Sequence, residues 1–284
     1  MSRLSKALVE RLSRHLGAVA PFSLSVQTAL TEMGKEQVDL PLVCSLLETD
    51  PVLIASILRL ANSPFYGFAR EIGTVSDATV LLGVHSLKQL VISYSLITTF
   101  SQAGKGCLDR QALWRNAIAV AVAAKVLARE TGQDPDMAFV AGILSDIGLV
   151  VMEQCLGDDY RPVLAYRDQQ RCALVVAEQA VLGVDHGKVG ADAINTWGLP
   201  DVYAEIAMHC DQRLDAPPGS PLVDVVHLAS LLVKGLWIST VVDTAMIDLT
   251  PQTLDRLGLD WARLETLLPE IEASSRDVID RLLP

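Results

Sequence analysis

The stretch AFVAGILSDIGLVV, residues Ala138–Val151, decides the fold. Between Met137 and Met152 every residue other than Ser145 and Asp146 is apolar or glycine. A helix that is apolar on all sides is buried on all sides, so this segment is predicted to be one central helix of the core. A buried carboxylate without a partner is costly or loses its charge, so Asp146 must have a partner. That partner is either a hydrogen-bonding group on a neighbouring helix or a bound metal or ligand.

Helix signals extend outward from this segment in both directions. A capping residue precedes a proline at Asp50-Pro51, Asp134-Pro135, Ser220-Pro221 and Thr250-Pro251. In such a pair the side-chain oxygen accepts amides of the first turn, and proline occupies a position that needs no amide. The glycines that end apolar-periodic runs are Gly83, Gly132, Gly157, Gly183, Gly198 and Gly258. Because period-2 alternation never persists, the sequence predicts an all-α fold.

Two connectors suggest how the chain is organised. The small, glycine-containing segment Ser101–Gly106 predicts a seam between an N-terminal lobe, 1–104, and a second lobe, 105–284. A further exposed loop is predicted at Asp211–Ser220, which contains Pro217-Pro218-Gly219. Neither connector is long enough to act as a flexible linker, so the lobes are predicted to pack as one unit.

Composition excludes several classes of function. The chain carries 34 acidic and 23 basic residues, a net charge of −11, which argues against a nucleic-acid partner. The five cysteines are scattered and show no CxxC spacing, so they are expected to be reduced thiols rather than disulfides or zinc ligands. The N-terminal residues lack the apolar core of a signal peptide, and no run reaches the roughly 18 apolar residues of a membrane span. We therefore expect a cytoplasmic protein without a membrane partner.

Few residues are candidates for the partner of Asp146. Asn116 interrupts an apolar helical run, His186 lies at a predicted helix start, and His209 ends another run. Two histidines and an aspartate would suit a first-row divalent metal. Each histidine taken alone is more often an ordinary core or capping residue, so both alternatives stay open.

Three segments resemble the HD superfamily of metal-dependent phosphohydrolases. Ala138–Val151 is similar to its "aGLLHDIGkl" helix, with Ser145 in the position of the histidine, and LWRNAIAVAVAAKVLA, Leu113–Ala128, is similar to the preceding helix, with Asn116 in place of a metal histidine. Glu178–Pro200 followed by IAMHC resembles the later "E…G..H..vG..La..W.LP…i..HH" stretch. The matching positions there hold His186 and His209, and the departures are Cys210 for a second histidine and Ser230 for a distal aspartate.

A second resemblance identifies the branch. Leu40–Val91 is similar to the signature of the HDOD family, "DP.L…lLrlaNS..yg….I.s…Ai..LG". The matching residues are Asp50, Pro51, Arg59, Asn62, Ser63, Tyr66, Gly67, Ile72, Leu82 and Gly83. With the HD-like part, the resemblance covers nearly the whole chain. It implies an N-terminal helical lobe packed on an HD-like helical bundle.

The resemblance to HDOD domains implies a bacterial signal-transduction output module rather than an enzyme. With Asn116, Ser145, Cys210 and Ser230 in place of metal ligands, neutral amide and hydroxyl groups would bind a divalent ion too weakly to activate water. The expected partners are signalling proteins, such as receiver domains, kinases or cyclic-dinucleotide enzymes, bound in the groove between the lobes. No cofactor is expected.

Two alternatives stay open. Asp146, His186 and His209 match one metal-binding half of a bimetallic HD-GYP-type site, so one divalent metal ion or a nucleotide bound there would make the protein a sensor. Residual cyclic-di-GMP phosphodiesterase activity is the other. In the segment Asn62–Gly67, helix capping by Asn62 is favoured over an aromatic contact of Phe65 and Tyr66 with a partner.

Overall fold

The computed structural model of the protein describes residues 10–12, 14, 21–68, 70–101, 106–209, 220–238 and 251–283. These residues form helices and no strand, which confirms the predicted all-α fold. The N-terminal helices are α1 (Leu24–Glu32), α2 (Leu40–Leu47), α3 (Pro51–Ala61) and α4 (Val75–Phe100). The later ones are α5 (Arg110–Thr131), α6 (Pro135–Leu144), α7 (Ile147–Leu156), α8 (Arg161–Gln170), α9 (Leu174–Val181), α10 (His186–Thr196), α11 (Asp201–His209), α12 (Pro221–Gly235), α13 (Pro251–Leu257) and α14 (Trp261–Leu282).

The predicted aspartate-proline helix starts are confirmed. Asp50 accepts the amides of Val52 and Leu53 at 3.1 and 3.0 Å, and Asp134 caps α6 in the same way. Ser220 is different. Although α12 does begin at Pro221, the Ser220 hydroxyl makes no cap bond. The predicted cap at Thr250 lies outside the described residues, as does nearly all of the loop predicted at Asp211–Ser220.

Five of the predicted glycine stops are confirmed, since Gly132, Gly157, Gly183, Gly198 and Gly258 follow helix ends and have positive φ. Gly83 is a special case because its φ of 82° and ψ of 160° interrupt α4 without ending it. The part of α4 that follows Gly83 leaves the kink in a new direction.

The prediction of one continuous helix from Met137 to Met152 is wrong. The segment is buried as expected except at Met137 and Asp146, which are partly exposed, and Asp146 has φ −109° and ψ 18°, which breaks the segment into α6 and α7. Leaving helical geometry turns the Asp146 carboxylate towards α5, where its hydrogen-bond partner lies. The polar pair Ser145 and Asp146 therefore marks a corner between two core helices.

Helix α5 lies at the centre of the molecule. It packs against α6, α12 and α14, and its run from Ala117 to Ala128 is buried throughout. Small residues allow the helices to approach closely, since a methyl group on Gly142 of α6 would overlap the main chain of Ala121.

The two predicted lobes share one core. Helix α4 packs against α6, and α3 packs against α14, so the N-terminal helices lie directly on the HD-like bundle. The boundary predicted between residues 104 and 105 lies outside the described residues and stays a prediction.

Two helical stretches, Val75–Phe100 and Pro135–Gln170, are long and apolar enough to cross a membrane by length and composition alone. More than half of the apolar window of each is buried inside the fold. The cytoplasmic location expected from the sequence stays a prediction.

Candidate functional site

The Asp146 carboxylate is held by the neighbouring helix. Asn116 on α5 donates its side-chain amide to Asp146 Oδ2 at 2.9 Å. Asn116 is 2 % exposed and Asp146 is partly exposed, so the bond is partly buried. The structure thus supplies the hydrogen-bond partner that the apolar surroundings of Asp146 require.

Ser145, in the position of the HD histidine, is turned away from this pair. Its hydroxyl donates to the main-chain carbonyl of Gly142 at 2.9 Å. Ser230, in the position of the distal aspartate, is buried within α12. The resemblance to HD enzymes implies metal ligands at both of these positions.

His186 begins α10 as predicted and is fixed by a buried carboxylate. Glu178 Oε2 lies 2.7 Å from His186 Nδ1 and accepts the His186 main-chain amide at 2.9 Å. The other oxygen of Glu178 accepts a hydrogen bond from the Tyr160 hydroxyl. Burial, followed by the adjacent Glu178, raises the pKa of Tyr160 far above its usual range, so the phenol remains a hydrogen-bond donor. Glu178 lies in the HD-like motif, but the sequence did not reveal that it would hold the histidine.

The helices that carry the three predicted ligands meet at one junction. A methyl group on Gly148 of α7 would overlap the His186 carbonyl, and one on Gly187 of α10 would lie 3.0 Å from the Ala207 carbonyl of α11. Helix α11 ends at His209, as predicted. The helices that carry the three predicted residues therefore pack together, and the site itself stays a prediction.

The side chains described at this junction are not arranged as a metal site. Among the described residues, no three histidine, cysteine, aspartate or glutamate side chains are placed to hold one. The Asn116 amide that faces Asp146 is a hydrogen-bond donor, and donors do not ligate cations. Cys210 lies outside the described residues. The metal site at Asp146, His186 and His209 stays a prediction.

The HDOD signature builds the end of α3. The Asn62 amide donates to the carbonyls of Leu58 and Ile72, both at 2.9 Å, and its oxygen accepts the Ile72 amide at 2.7 Å. Ser63 accepts the amides of Tyr66 and Gly67 through its carbonyl. The capping role of Asn62 is therefore confirmed.

The aromatic residues of the signature contact this chain's own Lys125. Its ammonium lies 4.0 Å from the centre of the Tyr66 ring and 5.3 Å from that of Phe65, and 2.7 Å from Asp136 Oδ1. This contact was not predicted from the sequence, although a lysine at the end of an apolar run was a visible signal.

A cavity of about 1170 Å³, here called the interlobe cleft, lies between the two predicted lobes. Residues of α1, α4 and the connection between α10 and α11 line it. Tyr203 of α11 donates to Gln89 of α4 at 3.1 Å across its base. This cleft is where the sequence analysis expected a groove.

Comparison with known proteins places the chain in a family. The HDOD domain matches residues 19–212. An HDOD domain protein of unknown function from Geobacter sulfurreducens has a TM-score of 0.76 at 25% identity, over 96% of this chain and 98% of its own. A Shewanella amazonensis protein provisionally named a phosphohydrolase has a TM-score of 0.76 at 23% identity, over 96% and 98%. The MmoQ response regulator of Methylococcus capsulatus has a TM-score of 0.50 at 26% identity, over 86% and 95%.

A longer relative from Treponema pallidum, without an assigned function, is 23% identical over 216 residues. That match covers 75% of this chain and 41% of the relative, so this chain spans less than half the length of that protein. The matched domain, the helical architecture and the signature at the end of α3 agree: the chain belongs to the HDOD domain family.

Proposed function

We propose that this chain is a non-catalytic signalling module that binds another protein in the interlobe cleft. The observation behind the proposal is the Asn116–Asp146 hydrogen bond, because an amide that donates to Asp146 Oδ2 stands at the position of a metal histidine in the HD motif. Membership of the HDOD family and the likeness to the MmoQ response regulator support a role in signal transduction.

The donor chemistry argues against hydrolysis. An HD hydrolase needs a cation to acidify water, and that cation needs imidazole and carboxylate ligands. At three matching positions this chain has the Asn116 amide and the hydroxyls of Ser145 and Ser230. Of these, the Ser145 hydroxyl already donates to Gly142.

A metal- or nucleotide-binding sensor is the second candidate. It is favoured by the carboxylate that holds Nδ1 of His186, because metal-bound histidines usually have such a partner on the second nitrogen. The hydrogen bond from Asn116 falls on Oδ2 of Asp146, and a carboxylate that binds a metal commonly keeps such a bond.

The catalytic half of the proposal is tested by turnover. Purified wild type and Asp146→Asn are incubated with bis(p-nitrophenyl) phosphate or cyclic di-GMP in the presence of Mn²⁺ or Fe²⁺. We expect equal, background rates. Metal-dependent turnover by the wild type that is lost in Asp146→Asn would overturn the non-catalytic assignment.

The binding half is tested by cross-linking in a bacterial host that carries the chain. A photoreactive amino acid is placed at Lys35, at the rim of the interlobe cleft, or at the exposed Val176. We expect one discrete cross-linked protein from position 35, and direct binding when that protein is purified. The absence of a cross-linked partner at both positions contradicts a protein-binding role.

A further inference from the structure

The charge of the interlobe cleft is opposite to that of the whole chain. None of the described residues that line it is acidic, although acids outnumber bases in the sequence by 34 to 23. Three lining residues, Lys35, His85 and Lys88, are basic. The cleft is thus a local exception on an acidic molecule, as expected of a surface that receives an anion.

Lys88 is the basic residue of the cleft lining whose charge is not balanced by an ion pair among the described residues. Lys35 is paired with Glu32 on α1, and His85 is paired with Asp134 at 2.9 Å. Lys88 forms no ion pair with any residue that the structure describes, and its ammonium lies against Gly34 in the turn after α1. A half-buried ammonium with no counter-ion attracts an external carboxylate more strongly than one already paired.

The rest of the lining is apolar and adaptable. Phe22 and Met33 contribute from the N-terminal lobe, and Met137 and Trp197 from the HD-like lobe. Methionine side chains adjust to varied surfaces, and aromatic rings anchor interfaces. The lining therefore suits a ligand with an apolar face and an acidic edge.

The size of the cleft favours a peptide over a small molecule. Its volume of about 1170 Å³ exceeds the roughly 300–1,000 Å³ of ordinary ligand pockets. A helix about 10 Å across and about 15 Å long, roughly ten residues, fills a similar space. Amphipathic helices commonly bind in such grooves through apolar anchors spaced three and four residues apart.

We propose that the interlobe cleft binds an acidic amphipathic helix of the partner protein, with Lys88 pairing with its carboxylates. This inference rests on the proposed function and names the chemistry of its partner.

The test uses a displayed library of random peptides, about 16 residues long, selected on the full chain. We expect enriched sequences rich in aspartate and glutamate, with leucine, isoleucine or phenylalanine at helical spacing. A fluorescent copy of the enriched peptide is then titrated with variants. Lys88→Glu is expected to weaken binding at least about tenfold, and added salt to weaken it further.

Arg115→Glu is the matched control. Arg115 is exposed on α5, outside the cleft lining, so this charge reversal is expected to change affinity less than about twofold. If Lys88→Glu fails to give the wild-type circular dichroism spectrum, the milder Lys88→Gln replaces it.

Neutral or basic enriched peptides, no enrichment, or equal effects of the Lys88 and Arg115 variants would overturn the inference. The protein-binding role and the cleft as its site can be contradicted independently of each other. A partner that cross-links from Val176 but not from Lys35 would preserve a protein-binding module and exclude the cleft as its site.

Discussion

At the scale of single residues, Lys125 of α5 connects the Asn62–Gly67 segment of the HDOD signature to the core helices. It is 4 % exposed, and its ammonium contacts Asp136 and the Tyr66 ring. Burial lowers the pKa of Lys125, partly opposed by Asp136, which favours its charged form. A buried cation is tolerated here because a carboxylate and aromatic faces replace its water.

Lys125→Met is therefore expected to lower the free energy of unfolding by about 3 kcal/mol, because Asp136 would keep its charge without its cation. The measurement is urea denaturation followed by circular dichroism. Lys188→Met is the control, since Lys188 is half-exposed and paired with Asp192 on one helix. Its effect should stay within about 0.5 kcal/mol. Equal losses in the two variants would show that the Lys125 contacts stabilise the fold no more than an exposed ion pair does.

The surroundings of Asp136 predict that the free energy of unfolding depends on pH. Burial alone would raise the pKa of Asp136, but Lys125 and the Ser86 hydroxyl outweigh it and hold that pKa below the ordinary 3.8. Since the folded pKa is lowered, the stabilisation is present above pH 3.8 and is lost as the pH falls through the folded value. The free energy of unfolding, measured from about pH 6 to about pH 2, should show wild type losing its advantage over Asp136→Asn only at the acidic end. An advantage that is constant over this range contradicts the assignment.

At the scale of elements, the contact between α7 and α10 sets the geometry of the HD-like junction. Gly148 lies directly against the main chain of His186, and Gly190 is its other close neighbour. No side chain fits between the two helices there. The close approach places the helix that follows Asp146 against the helix that begins with His186.

Gly148→Ala should therefore destabilise the protein by at least about 2 kcal/mol, since the methyl group must push main-chain atoms apart. Gly235→Ala is the matched control, because nothing lies within 4 Å of a methyl group at that helical position. Alanine there should be neutral or stabilising by about 0.5 kcal/mol. Thermal unfolding of both variants tests this, and a harmless Gly148→Ala would disprove the tight contact.

Elements could be predicted from sequence wherever their ends are encoded locally. Asp50-Pro51 and Asp134-Pro135 contain the cap acceptor and the proline within a few residues, so both helix starts were predicted correctly. The break at Asp146 could not be predicted in this way. The Asp146 carboxylate at this break bonds to Asn116, 30 residues earlier, and a periodicity count contains no information on such a partner.

At the scale of the whole molecule, the two lobes are expected to unfold together. Helix α4 packs on α6 and α3 on α14, so neither lobe has a separate core. Circular dichroism and tryptophan fluorescence in urea should give coincident transitions. Two separated transitions would mean that the lobes are independent domains.

The sequence predicted part of the candidate site. The resemblance identified Asp146, His186 and His209, whose helices do converge. The charge of the interlobe cleft could not be predicted, because Lys35 and Lys88 lie on separate segments that only folding brings together. In an acidic chain, two such lysines resemble ordinary surface residues.

The most direct test of the central claim is the metal content of freshly purified protein, measured by elemental analysis beside Asp146→Ala. If Asp146 is held by Asn116 and the module binds rather than hydrolyses, both proteins should contain less than about a tenth of an ion per chain. About one Mn, Fe or Zn ion per wild-type chain, lost in Asp146→Ala, would contradict this account and establish a working metal site.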